Sequence, residues 1–184
     1  MIVNDGDRPL LLGWVRLVIE CHLKGTVPEA PDLSDYPSCG AFVTIHKNGS
    51  LRGCIGYTIS QDPLEDTLRD AALSAAFRDP RFPPLQEEEL PEIDLEISLL
   101  SPPEPVDSPE ELELGRHGAL LKSGFHAGLF LPQVATEQDW NLEQFMTHLC
   151  LKAGLAPDHW KTGEYSLFRF TAAILSEKES SGSL

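Results

Sequence analysis

The sequence predicts an α+β fold in which a mainly antiparallel sheet is flanked by helices. Two apolar, alternating segments surround Asn48-Gly49-Ser50, which is typical of a β-hairpin. Residues 93–100 alternate between apolar and polar side chains, as in a half-buried strand. Helical patterns occur among the strands without regular strand–helix–strand alternation, so antiparallel pairing is favoured over a parallel sheet.

The first half of the chain contains two predicted helices and three strands. Helix 9–24 has apolar residues at helical spacing, and the strands of the first hairpin are expected at 41–47 and 51–58. The second helix begins at Asp62, the expected N-cap, and ends before Asp79-Pro80, because proline disfavours helix in the residue before it. Strand 93–100 follows.

The second half repeats this mixture. Ser108 and Glu111 fit a capping box on a short helix, and a second hairpin is expected at 118–122 and 125–131. Asn141 caps a further helix that Gly154 ends, and residues 165–175 form the last predicted strand. The polar tail 177–184 is expected to be disordered.

Composition narrows the function classes. The 184 residues suit one full domain, or one domain with a smaller lobe. A net charge of −15 makes nucleic acid an unfavourable partner.

The start of the chain lacks a basic signal segment, and the apolar run 10–19 is too short to span a bilayer. Because of these two observations, we expect a cytoplasmic protein with reduced thiols. No CxxC, HxxxH or HExxH motif occurs, so we expect no metal site, and no motif identifies a cofactor.

The hexapeptide at residues 51–56, Leu-Arg-Gly-Cys-Ile-Gly, carries the strongest chemical signal. Alternation places Arg52, Cys54 and Gly56 on one open face, about 7 Å apart for successive members. The same alternation predicts core positions for Leu51, Ile55 and Tyr57. A guanidinium beside a thiol favours the thiolate, so Arg52 and Cys54 are candidate catalytic residues.

The hairpin register extends this face. A three-residue loop at 48–50 pairs Thr44 with Cys54 and His46 with Arg52, and it keeps apolar residues together. A two-residue loop would mix the faces. The preferred register makes Thr44 a candidate binding residue and a Cys54–His46 dyad geometrically feasible.

Two further groups are candidates for binding. Gly53 and Gly56 permit close approach by a ligand or another backbone, or they mark a bulge. Prolines stiffen segment 79–84, so Asp79 and Arg81 form either a rigid anion-binding loop or a structural elbow with a local ion pair.

These motifs resemble the AMMECR domain family, whose prokaryotic members are called AmmeMemoRadiSam system protein A. The resemblance covers nearly the whole chain. It rests on residues 40–45, 51–56, 75–84, 97–102, 129–134 and 152–155, together with Trp140 and Trp160.

The resemblance implies a single domain over residues 1–176 with two lobes, the larger from both chain ends and the smaller from a central segment. It places the hexapeptide near a cleft between the lobes. It also implies association with a Memo-like protein and a radical-SAM protein, and therefore a redox or modification pathway, without specifying a reaction.

Three hypotheses follow for the hexapeptide. In the first, Cys54 is a nucleophile or redox thiol of an enzyme or enzyme component, Arg52 polarises it or binds an anionic substrate, and Asp79 and Arg81 orient the substrate. In the second, the same surface docks a partner protein without catalysis. In the third, the hexapeptide is structural and Arg52 pairs internally.

Overall fold

The computed structural model describes residues 5–178, which form two compact units. Unit 1 comprises the chain up to Leu100 together with the segment from Ala173 onward, and unit 2 is Ser101–Ala172. Each unit contains its own antiparallel sheet and its own helices. The predicted α+β class, with a smaller segment inserted into a larger one, is therefore confirmed.

Unit 1 is a four-stranded sheet with two long helices. The strand order is β2-β1-β3-β8, so β2 lies at one edge. Its elements are α1 (Arg8–Leu23), β1 (Gly40–Lys47), β2 (Ser50–Tyr57), α2 (Leu64–Phe77), a 3-10 helix (Glu87–Glu92), β3 (Ile93–Leu100) and β8 (Ala172–Ser176).

The core of unit 1 follows from the two periodicities in its sequence. Strand β3 buries Ile93, Leu95, Ile97 and Leu99, as its alternation predicts. Helix α1 buries a continuous apolar stripe, and α2 buries its leucines and alanines against α1 and strands β1 and β2. The expected N-cap of α2 is wrong by one residue, because Pro63 occupies that position and makes no side-chain cap.

Unit 2 is a second four-stranded sheet, ordered β4-β7-β5-β6, with helices packed against it. Asn141 caps α4 through a capping box, and Ser108 and Glu111 form the predicted box on a 3-10 helix. The elements are β4 (Glu104–Val106), β5 (Gly118–Ser123), β6 (His126–Phe130), α3 (Pro132–Glu137), α4 (Leu142–Lys152), α5 (His159–Thr162) and β7 (Ser166–Phe170).

The single strand predicted at 165–175 is wrong. The chain forms β7 in the sheet of unit 2, is not in strand conformation at Thr171, and then forms β8 in the sheet of unit 1. The backbone of Ser101 donates to the Thr171 carbonyl at 2.9 Å, and the Thr171 amide donates to the Ser101 hydroxyl at 3.0 Å. These bonds occupy the backbone groups that a continuous strand would use for its ladder.

The predicted tail needs one correction. Glu177 is ordered: its carboxylate binds Arg16 at 2.6 Å and accepts from the Leu95 amide at 2.8 Å. The rest of that prediction, from residue 179 onward, lies outside the described residues. Among residues 5–178, no helix has the length and apolar character needed to cross a membrane.

Candidate functional site

The turn of the first hairpin contains two residues rather than three. Asn48 and Gly49 have φ of 51° and 82°, as a type I′ turn requires, and Lys47 pairs with Ser50. The register then shifts by one residue between Ile45 and His46. This bulge restores the predicted pairing of Thr44 with Cys54, while His46 lies opposite Leu51 instead of Arg52.

The bulge changes which side chains are buried. Leu51 is turned to the face that it shares with His46 and is 41% exposed, so its predicted core position is wrong. Tyr57 ends the edge strand and is 40% exposed, which also contradicts the core prediction. Ile55 packs against the main core of unit 1 as expected.

Arg52 is the residue that the bulge leaves without a cross-strand partner, and it is buried rather than on an open face. Its guanidinium binds the Glu89 carboxylate bidentately, at 3.0 and 2.9 Å. Lys47 binds the same carboxylate at 3.1 Å. The Arg52 hydrogen bonds are the main reason why the pKa of Glu89 is lowered to about 2. Nε and one terminal nitrogen of the Arg52 guanidinium therefore serve an internal ion pair.

Asp79 and Arg81 hold the backbone of Cys54 at the edge of the sheet. The buried Asp79 carboxylate accepts from the Cys54 amide at 2.9 Å, and Arg81 donates to the Cys54 carbonyl at 3.1 Å. Arg81 also binds Asp79 at 2.7 Å. The Arg81 hydrogen bonds are the main cause that holds the pKa of Asp79 well below its usual range. The local ion pair expected in the structural interpretation of this loop is present.

This clamp explains the environment of the thiol. In an antiparallel pair, a residue whose amide and carbonyl point outward belongs to a non-hydrogen-bonded pair, where side chains lie closest. Cys54 is such a residue, and the Thr44 hydroxyl donates to its sulfur at 3.2 Å. Both side chains are half-buried. The backbone of Cys54 is thus fixed on both sides while its sulfur faces a neighbouring hydroxyl.

Phe82 joins the two arginines into one network. Its ring centroid lies 5.9 Å from the guanidinium carbon of Arg52 and 5.5 Å from that of Arg81, within cation–π range. The Arg81 side chain is 53% exposed, whereas that of Arg52 is 11% exposed. Arg81 is therefore the arginine of this network that can meet a ligand.

The two glycines serve close packing within unit 1. A Cβ on Gly53 would lie 2.2 Å from the carbonyl oxygen of Ala75 in α2. A Cβ on Gly56 would lie 2.6 Å from the ring of Phe42 and closer still to the backbone of β1. The space beside each glycine is filled by the protein itself, as in the backbone-approach alternative. Gly53 also directly follows the bulge at Arg52, as in the other alternative.

Two of the other thiols are more deeply buried than Cys54, whereas Cys21 is half-buried like it. Cys39 and Cys150 are buried, and burial raises the pKa of Cys39 to about 11 and also raises that of Cys150.

Among residues 5–178, no imidazole is hydrogen-bonded to the Cys54 sulfur, so the His46 dyad is not formed in this structure. The described part of the chain also holds no cluster of three or more His, Cys, Asp or Glu side chains suited to a metal ion.

Sequence reasoning missed Glu89 and Phe82. Glu89 lies in an acidic run that has the pattern of a solvated surface, and 37 residues separate it from Arg52. The available signal was the sequence Gln86-Glu-Glu-Glu89, a capping box on the 3-10 helix. A carboxylate at the N3 position of that box reaches back to its own N-cap, which positions it beside the bulge.

All of the sequence-predicted site residues lie in unit 1. The structure brings Thr44, Cys54, Asp79 and Arg81 together and directs Arg52 to Glu89. The expected location of these residues in a cleft between lobes stays a prediction.

Comparisons with known proteins agree with this architecture. The AMMECR1 family model matches residues 12–175. A protein of Methanothermobacter thermautotrophicus is 46% identical, over 91% of this chain and 92% of its own length. Protein MJ0810 of Methanocaldococcus jannaschii is 41% identical, over 92% and 89%. The crystal structure of the uncharacterized protein PH0010 from Pyrococcus horikoshii superposes with a TM-score of 0.89 at 35% identity, covering 98% of this chain and 96% of that one. With a family match over almost its whole length, this chain belongs to the AMMECR1 family.

Proposed function

We propose that this protein is an enzyme component whose working group is the Cys54 thiol, and that Arg81 guides an anionic group of the substrate or partner toward it. The observation that carries the proposal is the clamp on Cys54. Asp79 and Arg81 occupy both outward backbone groups of this half-buried residue, and Thr44 contacts its sulfur. The two backbone hydrogen bonds hold Cys54 in one position and do not involve its sulfur, which stays available for reaction.

The roles of the two arginines differ from the simplest interpretation of the sequence. Arg52 acts as a positioning residue, because its guanidinium is bound bidentately by Glu89 and mostly buried. Arg81 supplies the accessible positive charge, because Asp79 orients it while half of its side chain remains in solvent. An anion near Cys54 would therefore meet Arg81 first.

The pathway is part of the same proposal. The family resemblance associates such chains with a Memo-like protein and a radical-SAM protein, which are candidate sources of the group that reaches Cys54. The acidic surface of this chain suits partners with basic docking surfaces.

Thiol labelling tests this proposal. In a Cys21→Ser background, Cys54 is the half-buried thiol to compare with the buried Cys39 and Cys150. We expect iodoacetamide to alkylate Cys54 first, with mass spectrometry locating the label. Arg81→Gln is expected to slow an anionic disulfide reagent by about tenfold while leaving neutral iodoacetamide nearly unchanged.

Arg69→Gln serves as the matched control, because it removes an exposed positive charge from α2 in the same unit. It is expected to change neither labelling rate by more than about twofold. A Cys54 that is labelled no faster than Cys39 would contradict the thiol role, and equal slowing by both arginine variants would contradict the guiding role of Arg81.

The second candidate function is a non-catalytic docking module. It is favoured by the absence, within residues 5–178, of an imidazole bonded to the thiol. Pull-downs with the Memo-like and radical-SAM proteins distinguish the two functions. Retained binding and cellular function in Cys54→Ser, with loss of both in Arg81→Gln, would establish docking without thiol chemistry.

A further inference from the structure

We propose that the outer face of helix α1 is a docking groove for an amphipathic helix of a partner protein, with an apolar stripe flanked by lysine or arginine. This α1 groove has a volume of about 440 Å³ and is lined by Pro9, Leu10, Gly13, Trp14 and Leu17 of α1 and by residues 29–31. It goes beyond the thiol function, which uses a different surface of unit 1.

The groove follows an exposed apolar stripe of α1. Leu10 and Leu17 are 44% and 42% exposed, and between them lie Gly13 and Trp14, of which Trp14 is buried and forms the back of the groove. These positions are separated by three, four and seven residues, so they share one face over about two turns, or ~10 Å. Another stripe of the same helix, including Leu11 and Val15, is fully buried in the core. Helix α1 is therefore apolar on more of its surface than the fold of unit 1 requires.

Gly13 is the second observation. Glycine in the middle of a helix weakens it relative to alanine. A Cβ added at Gly13 would meet nothing within 4 Å in the described chain, so close packing inside unit 1 does not require glycine here. The missing side chain lowers the floor of the groove between Leu10 and Leu17. The distance between two packed helices depends on the side chains at their contact, so this floor admits a close second helix.

Charge determines the kind of helix. The wall of the groove belongs to the loop between α1 and β1, where residues 26–38 carry Glu29, Asp32 and Asp35 and no lysine or arginine. Glu29 itself lines the groove. A second copy of this chain would bring a net charge of −15 toward these carboxylates. A helix with basic residues beside its apolar stripe complements both features.

The α1 groove and the thiol lie on different sides of the sheet of unit 1. Helix α2 covers the face that carries Gly53, and α1 packs on α2 and β3. Cys54 follows Gly53 in the strand and points to the opposite face. Occupation of the groove therefore leaves the thiol accessible, and failure of either proposal does not affect the other.

The experiment uses two synthetic helices of about 18 residues with the same leucine stripe, one flanked by lysines and one by glutamates. Each is titrated into the isotope-labelled full chain and followed by amide chemical shifts. We expect saturable shifts confined to α1 and residues 29–31 with the lysine helix, and none that saturate with the glutamate helix.

Variants of the groove test its shape. Gly13→Leu fills the floor and is expected to weaken binding by at least about tenfold, and Leu17→Ser tests the stripe independently. Gly13→Ala is expected to raise the melting temperature by about 2–4 °C. The control Phe125→Ala removes a fully exposed aromatic ring of unit 2 and should leave binding unchanged.

Three results would overturn the proposal. One is unchanged binding in both Gly13→Leu and Leu17→Ser. Another is a set of shifts spread over the acidic surface without saturation. The third is sedimentation showing self-association that Gly13→Leu abolishes, which would assign the groove to a second copy.

Discussion

Replacing Glu89 with glutamine tests whether Arg52 is structural. The substitution leaves a mostly buried guanidinium without its carboxylate, and removing one partner of a buried pair costs about 3–5 kcal/mol. The Arg52 and Glu89 side chains are 11% and 16% exposed, so we expect about 2–3 kcal/mol. The depressed pKa gives a similar figure, because lowering it from 4.5 to about 2 corresponds to about 3 kcal/mol.

The assay is urea unfolding followed by Trp14 fluorescence, in a background where Trp140 and Trp160 are replaced by phenylalanine so that the signal reports unit 1. Glu88→Gln is the matched control, because Glu88 is exposed on the same 3-10 helix. Equal stability of the Glu88→Gln and Glu89→Gln proteins would refute the buried-pair reasoning.

Acid titration of the same proteins adds an independent check. A carboxyl group with a lowered pKa in the folded protein stabilises the fold above its unfolded pKa. The Glu89 contribution should therefore be complete above about pH 4.5 and disappear as the pH falls toward 2. We expect the stability difference between wild type and Glu89→Gln to shrink across this window, and a constant difference would contradict the assignment.

Three further substitutions test the packing around the site and in unit 2. Gly53→Ala should destabilise unit 1 by about 2 kcal/mol or more in the same urea assay, because its Cβ would lie 2.2 Å from a carbonyl of α2, whereas Gly6→Ala has open space and should be nearly neutral. Asp79→Asn weakens the clamp and should speed hydrogen exchange of the Cys54 amide by about tenfold, and unchanged exchange would show that Asp79 does not protect it. Asn141→Ala removes the cap of α4 and should cost unit 2 about 1 kcal/mol, measured by urea unfolding followed through Trp140 and Trp160.

Periodicity predicted most of the fold because it reports burial directly. Strand β3 and helices α1, α2 and α4 lie within one or two residues of their expected bounds. The error at 165–175 has a tertiary cause, since an apolar strand looks the same whether it stays in one sheet or passes between two. Helix α3 is too short for its period to be recognised.

The candidate site was predicted only in part, because strand alternation reports which face a side chain shares but not where a strand is irregular. Facial alternation predicted a three-residue loop, whereas Asn48 and Gly49 form a two-residue type I′ turn, and the bulge at Arg52 reconciles this turn with the alternation of the strands. Strict alternation assumes a regular strand without a bulge, and on that assumption Arg52 was predicted to lie on the open face. The capping box that orients the Glu89 carboxylate is visible in the local sequence, but its contact with Arg52 spans 37 residues and depends on the tertiary fold.

The hydrogen bonds between Ser101 and Thr171 have a consequence for the order of folding. Unit 2 interrupts unit 1 by about seventy residues, and an open loop of that length must be closed before β8 can join its sheet. In the folded unit 2, hydrogen bonds between Ser101 and Thr171 hold the two ends of the insertion together. Once unit 2 has folded, most of the loop-closure entropy has therefore been lost before β8 joins its sheet. The insertion then acts on the surrounding chain as a short turn would, and it lowers the effective contact order of unit 1.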